Sequence, residues 1–456
     1  MKSKPRICVN TQTPLVRFKT TYSELRERYG YSDNPIRLEE LNEGADYEFT
    51  PGGVTGMVHS ALKHMMSSGL IRPDPRWISL GPGAPSEILF DNMRLYNVSL
   101  SEDKLVLYAN FKEGIWNEIH GLATLSFKPR EYEAYVEYNW NCAKLMLDML
   151  QDVDLFWIHD FQQLPIGNLL GPSAPAVFRW HIPFRLEGTS QKLRTFVLKN
   201  IASFDSIIVS TKRDLEGLIR AGYGGQVHAI YPYLDSDEWK PTSPKMVDEV
   251  AAKFGLLKDE KVLLVVARMD PIKNQDTAIK ALSLVLKKYP HTKLVLAGNG
   301  SFTGSAKGGL GHPKAARWST YLRTMINTLK LQDSVVFTGH VSHEDLNALY
   351  TIAEAVLVPS KIEGFNLTAV EGWLRKKPCI VSNGAGVSEL VNDGANGFRF
   401  TGGDEGDLAK KMSLILRSQE ETAKMGENGL MTSKMCSIDA GIAGLRESFE
   451  SVLKLY

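Results

Sequence analysis

Two glutamates eight residues apart, Glu363 and Glu371, lie in the stretch PSKIEGFNLTAVEG at 359–372. An apolar run ends at Pro359, a loop follows, and a helix is predicted to begin near Asn366. The first turn of such a helix offers backbone N–H groups that have no intrahelical partner, which suits an anionic diphosphate. Gly364 lets the backbone approach a ligand closely. Glu363 in the loop can hold sugar hydroxyls, and Glu371 in the helix can reach ribose hydroxyls. A capped surface helix with two solvated acids is the plainer alternative, but the EGFN loop directly after a strand favours the ligand. A second stretch, VLLVVARMDPIKN at 262–274, sends Arg268 off the end of an apolar strand, with Lys273 five residues later. Two fixed cations at the carboxyl end of a strand can clamp a diphosphate and stabilise it as a leaving group. Solvated surface cations are the alternative for this pair taken alone.

Two further runs, FWIHDFQQLP at 156–165 and AVFRWHIPF at 176–184, each end an apolar strand on a histidine, His159 and His181. A histidine there is often structural, yet two of them, with Asp160 beside one, point to a binding cleft. PGGVTGM at 51–57 precedes a helix expected over 58–66, and glycines before a helix make an anion-friendly turn at Gly53. Two Asp-x-Asp triplets, Asp152/Asp154 and Asp235/Asp237, could suggest a metal. One precedes a buried strand and the other lies in a proline-rich linker, so no required metal is expected.

These residues must be positioned by a repeated pattern of short apolar runs and longer helical stretches, which implies parallel sheets covered by helices on both faces. The N-terminal MKSKPRICVN reads as a first strand. Further strands are expected at 77–80, 105–108, 155–158, 176–178 and 206–209, with a helix over 132–150. YPYLDSDEWKP at 231–241 reads as a linker. The pattern then restarts, with strands at 262–267, 293–297, 334–337, 355–358 and 378–381 and helices at 275–288 and 314–329. Two doubly wound domains with a cleft at their strand ends follow. The segment GNGSFTGSAKGGLGHP at 298–313 follows a strand's carboxyl end and reads as a mobile lid or a surface insertion.

Composition narrows the class. The chain has 456 residues, and its 53 Lys+Arg against 52 Asp+Glu provide no global field for nucleic acid or acidic membrane. An apolar share of 43% is that of a globular protein, and no apolar run is long enough to span a bilayer. The four cysteines, Cys8, Cys142, Cys379 and Cys436, form no CxxC pair. Buried reduced thiols and a cytoplasmic location are the expectation.

The EGFNLTAVE stretch, the Arg268/Lys273 pair and GAGVSELVNDGANGF at 384–398 together resemble the large retaining glycosyltransferase family 4. GGVTGMVHSAL, LYANFKEGIWNEIHG, WIHDFQQLP and RWHIPF are similar, in that order, to trehalose 6-phosphate synthases, and the mixture resembles trehalose synthases that use free glucose. The resemblance implies a GT-B fold of two Rossmann-like domains: 1–234 binding acceptor, 235–435 binding nucleotide sugar, and 436–456 returning as a helix to the first. It implies that His181 contacts the donor sugar, Asp160 holds acceptor or donor hydroxyls, and Gly53 lies near the diphosphate. Arg268 and Lys273 would bind the diphosphate. Glu363, with Gly364, Phe365, Asn366 and Leu367, would hold the sugar, and Glu371 the ribose. Tyr108 and Trp116 would line the acceptor region. The sequence departs from the pattern at Ala267, where glycine or glutamate is usual before the arginine, and at Asn274, where glycine is usual. It also lacks the N-terminal arginine that grips glucose 6-phosphate, with Arg17 and Lys19 the nearest cations, which tilts the expectation to free glucose.

The expected activity is retaining transfer of glucose from ADP-, UDP- or GDP-glucose to glucose, forming trehalose, with no cofactor required. The expected partners are the nucleotide sugar and a small sugar acceptor, without nucleic acid or membrane; a homo-oligomer is left open. Transfer to glucose 6-phosphate or another small acceptor, a pseudo-sugar transferase, a nucleotide-sugar hydrolase and a non-catalytic sugar-binding module are the alternatives.

Overall fold

The computed structural model describes residues 4–31, 35–50, 53–239, 241–299 and 313–456. The glycine-rich segment 300–312 lies outside them, as do Pro51 and Gly52. The chain folds as two compact units, Met1–Pro232 with Ile438–Tyr456, and Tyr233–Ser437.

Strands of the first unit are β1 (Ile7–Asn10), β2 (Val16–Phe18), β3 (Ile36–Arg37), β4 (Tyr47–Phe49), β5 (Arg76–Leu80), β6 (Glu87–Phe90), β7 (Met93–Val98), β8 (Leu155–His159), β9 (Ala176–Arg179), β10 (Ser206–Val209) and β11 (Gln226–Ala229). Among the described residues nine of them form one sheet in the order β11-β10-β9-β8-β1-β5-β7-β6-β3, while β2 and β4 pair as a separate antiparallel ribbon. Within the large sheet only the β6–β7 pair is antiparallel. The central strands ICVN, LFWIH, AVFR and SIIV are buried at every residue, so they read as continuous apolar runs rather than alternating ones. Cys8, Phe156, Ile158 and Phe178 pack on one face with Phe111, Tyr135, Tyr138 and Met146 from the helices Glu102–Ile119 and Pro129–Asp148. On the other face the helix Ile438–Leu453 reaches β9 and β10 and packs against the helix Gly53–Ser67. There Phe449 meets Trp157 edge-on, with ring centroids 5.4 Å apart.

One expected strand is absent. Residues 105–108 belong to the helix Glu102–Ile119. Leu105, Val106 and Leu107 are spread around it, with Val106 62% exposed, while Tyr108, Phe111 and Ile115 line its buried side. A four-residue apolar run has no period of its own, and the surrounding helical spacing decides.

In the second unit β12 (Lys261–Val266), β13 (Thr292–Ala297), β14 (Val335–Gly339), β15 (Ala355–Val358), β16 (Cys379–Ser382) and β17 (Gly397–Phe400) form a parallel sheet in the order β14-β13-β12-β15-β16-β17. Leu263, Leu294, Leu357 and Ile380 pack against Ala278, Leu282, Leu322 and Met412 from the helices Gln275–Val285, Pro313–Leu329 and Glu405–Arg417. The expected parallel α/β architecture is present in both units.

Each sheet reverses its winding once. In the first the chain goes from β1 to β5 on one side and later returns to β8 on the other; in the second it goes from β12 to β13 and returns to β15. At such reversals the loops after neighbouring strands diverge and leave a crevice at the carboxyl ends.

Candidate functional site

The two loops of the second unit with the strongest sequence signal follow β12 and β15, the neighbouring strands at its reversal. After β12, Asp270 caps a 3-10 turn: its carboxylate accepts from Ile272 N at 3.1 Å, and Pro271 begins the turn. That cap presents Lys273. Asp270 is 5% exposed, and its carboxylate also lies 3.1 Å from Lys314 Nζ and 3.5 Å from an Arg268 guanidinium nitrogen. One buried acid therefore ties together Arg268, Lys314 and the turn that carries Lys273. Asn274 follows with φ 57°. Asparagine tolerates this left-handed conformation, so it can occupy the place where glycine was expected. Its side-chain amide donates to the Pro359 carbonyl at 3.1 Å and holds the two loops together.

After β15, Lys273 Nζ donates to Glu363 Oε1 in a direct ion pair. Glu363 Oε2 accepts from Asn366 Nδ2 at 2.8 Å. Burial alone would raise the Glu363 carboxyl. The Lys273 ammonium, with hydrogen bonds from Asn366 and Ser360, outweighs that and holds it below the usual carboxylate range. The loop is pinned from below, because Glu363 N donates to the Gly384 carbonyl at 3.2 Å and Val387 N to the Phe365 carbonyl at 3.0 Å. A Cβ on Gly384 would stand 1.9 Å from the Lys361 carbonyl oxygen, so only glycine fits. Gly364 and Phe365 are buried under this contact. Asn366, at φ 99°, caps the helix Leu367–Leu374 by accepting from Ala369 N at 3.3 Å. Leu367 opens that helix, and Glu371 stands one turn on, where it accepts from the buried Tyr350 hydroxyl. Burial raises the Glu371 carboxyl to about 7, against the opposing Tyr350 hydrogen bond.

In the first unit β8 and β9 run in parallel with His159 opposite Arg179. Asp160 N donates to the Arg179 carbonyl at 2.8 Å, and Asp160 Oδ1 accepts from His181 N at 3.2 Å. Burial raises Asp160 to about 7, against three backbone N–H groups that favour its charged form. His159 Nδ1 lies 2.9 Å from His181 Nε2. Burial first, and the nearby Arg179 cation, hold His159 well below the ordinary histidine range; burial, His159 and Arg179 do the same for His181. Gly53, at φ 63°, is the first described residue of its helix and is exposed.

Backbone strain gathers in these loops. Among the described residues seven non-glycine residues have positive φ, and three of them are Asp160, Asn274 and Asn366. Such residues persist where the surroundings over-determine them, as at binding sites.

Tyr108 does not fit the acceptor role expected for it. It is 1% exposed in the first unit's core, packed against Tyr135 and Tyr138. Trp116 stacks on His120 at 4.1 Å and packs half-buried against the same core. Lys19 is engaged by Glu48 at 3.1 Å and by the Gly44 carbonyl at 2.9 Å. Asp154 and Asp152 are ion-paired to Arg6 and Arg76, and Asp235 caps a turn. Asp270, Lys314 and Tyr350 were missed by sequence reasoning. For Asp270 a signal existed, since an aspartate directly before proline is a turn cap. For Lys314 and Tyr350 the partners are distant in sequence and no local signal exists.

Residues 246–431 match the family described as Glycosyl transferases group 1, and residues 104–215 match the trehalose synthase N-terminal domain. The D-inositol 3-phosphate glycosyltransferase 2 of Catenulispora acidiphila is 31% identical over 50% of this chain and 51% of its own length. The chain thus spans about half the length of such curated relatives. The α,α-trehalose 6-phosphate synthase of Burkholderia multivorans superposes with a TM-score of 0.73 at 18% identity, covering 99% of this chain and 98% of that one. HepE of Anabaena in complex with UDP-glucose superposes at 0.68 and 17% identity, covering 98% and 100%. The fold is therefore GT-B, and the residues that match the group 1 glycosyltransferase family lie within the second unit. His159, Asp160 and His181 fall inside the residues of the first unit that match the trehalose synthase N-terminal domain.

Proposed function

We propose that this chain is a retaining glycosyltransferase that moves glucose from a nucleoside diphosphate glucose to free glucose and forms the α,α-1,1 linkage of trehalose. The observation that carries the reading is the trehalose synthase N-terminal domain match over 104–215, a segment whose His159, Asp160 and His181 form one hydrogen-bonded cluster. The group 1 domain supplies the donor half. Lys273 and Arg268 bind the diphosphate and stabilise the charge that develops on it. Glu363, fixed by Lys273 and Asn366, holds sugar hydroxyls together with the backbone of Gly364, Phe365, Asn366 and Leu367. Glu371 binds the ribose, and Gly53 lies near the diphosphate. His181 and Asp160 bind sugar hydroxyls in the other half.

The bond from the anomeric carbon to the diphosphate oxygen breaks as the acceptor hydroxyl attacks from the same face. The hydroxyl proton passes to a phosphate oxygen and the nucleoside diphosphate leaves. No carboxylate acts as covalent nucleophile, unlike in retaining hydrolases. Free glucose is favoured over its phosphate because the segment 10–14 lacks the arginine found in the synthases it resembles, and Lys19, a cation nearby, is paired with Glu48. The four cysteines are buried free thiols, which supports a reducing compartment such as the cytoplasm.

The test offers the purified protein ADP-, UDP- and GDP-glucose, each with glucose, glucose 6-phosphate or no acceptor, and follows products by NMR. A symmetric α,α-1,1 disaccharide from free glucose is the expected product. Product only with glucose 6-phosphate would refute the acceptor and direct attention to Arg17 and Lys19. Nucleotide release without acceptor would make the chain a nucleotide-sugar hydrolase.

A further inference from the structure

The imidazoles of His159 and His181 must share a proton. Their rings are nearly parallel, 10° apart with centroids at 5.2 Å, and a nitrogen of each lies 2.9 Å from the other. His159 is 1% exposed on β8, whereas His181 is only partly buried beyond the end of β9. Both are held neutral by burial, with Arg179 opposing a further positive charge. A neutral imidazole has one N–H and one lone pair, so one ring donates across the contact and the other accepts.

The second nitrogen of His159 decides the direction. His159 Nε2 is buried and makes no hydrogen bond among the described residues. The Trp157 ring packs on the His159 ring with centroids 4.4 Å apart, and the Trp157 indole N–H is likewise buried without an acceptor among the described residues. The Arg179 guanidinium, 0% exposed, faces the same ring electrostatically. A proton on Nε2 would place another stranded donor among donors and a cation, whereas a lone pair is favoured by both. His159 then carries its proton on Nδ1 and donates it to His181 Nε2, which leaves His181 protonated on Nδ1.

We propose that His159 is a positioning residue that fixes His181 as the Nδ1–H tautomer and holds its ring, so that His181 offers a sugar hydroxyl a hydrogen-bond donor rather than a base. The functional half of this statement rests on the proposed role of His181 in sugar binding; the tautomer does not. His159 itself touches no substrate.

The experiment uses the full chain labelled with 15N-histidine and reads ring tautomers from nitrogen–proton couplings, without ligand. His181 is expected as the Nδ1–H form in the native protein. In His159→Phe, which keeps a flat buried ring but no donor, it is expected to shift to a mixture with Nε2–H. In His159→Gln, whose amide N–H can replace the lost donor, it is expected to return towards Nδ1–H. In steady-state assays His159→Phe should lower kcat about tenfold, with the donor KM changed by less than about twofold, and His159→Gln should recover most of the loss. An Nε2–H His181 in the native protein would overturn the proposal, and that spectrum decides even if the phenylalanine variant does not fold. An unchanged His181 tautomer in a folded His159→Phe would overturn it equally. Should the native chain transfer no sugar at all, the functional reading fails while the tautomer result stands.

Discussion

Lys273 and Glu363 are 90 residues apart in sequence, yet the Lys273 ammonium holds the Glu363 carboxyl in its charged form. Without the ammonium, burial would push the Glu363 carboxyl upward. Lys273→Ala therefore removes the proposed diphosphate contact and also neutralises or displaces the carboxylate proposed to hold the sugar. Turnover should fall by at least about 100-fold, with circular dichroism unchanged; near-native turnover would refute the clamp. Glu371 and Asp160 make a second, pH-dependent case. Both are acids raised by burial to about 7 in the folded chain, from usual values of 4.5 and 3.8. The folded state binds more protons than the unfolded one between those limits, so stability is greatest at the acid end and is lost as the pH rises towards 7. Urea melts at about pH 5 and about pH 7.5 should show that loss for the native chain. It should be smaller in Glu371→Gln and Asp160→Asn, and an equal slope in the variants would show that other groups carry the dependence.

At the scale of elements, two backbone positions fix the donor loops. Gly384→Ala drives a methyl into the Lys361 carbonyl and must shift the turn that supports Glu363. A loss of about 1–3 kcal/mol in unfolding free energy is expected, together with a raised donor KM. Asn274→Gly keeps the left-handed backbone but loses the buried bond to the Pro359 carbonyl, and should cost about 1–3 kcal/mol; Asn274→Val should cost more, because a β-branched residue also resists the left-handed conformation. The element pattern explains what could be read beforehand. β12, β13, β15 and β16 are buried on both faces, so their apolar runs stand out and their limits were legible to within about a residue. The four-residue run at 105–108 looked the same and is helical, since a run that short carries no period. β6 and β7, with exposed or half-exposed residues interleaved, left too weak a pattern to see. The loops carrying Arg268, Lys273 and Glu363 were legible because chemistry and strand end coincide. Their partners Asp270, Lys314 and Tyr350 were not, because burial and long-range contact leave no local trace.

At the scale of the whole molecule, the first unit is discontinuous: its helix Ile438–Leu453 arrives only after the second unit has been traversed. Leu445, Phe449 and Val452 are buried on its inner side, and Phe449 sits against Trp157. Phe449→Ala should cost about 3–5 kcal/mol. The loss should appear as earlier melting of the first unit's amides in hydrogen exchange, with those of the second unit unaffected; uniform loss in both would refute the assignment of the helix to one unit. The same discontinuity sets an order of events on the ribosome. Every residue of Tyr233–Ser437 is synthesised, and leaves the ribosome, ahead of the last helix of the first unit, so the later-encoded body can close first while the earlier-encoded one waits with Trp157 uncovered. In the interval between those two events the chain holds a complete second unit and an incomplete first one, and that interval is where a chaperone would find the uncovered apolar surface.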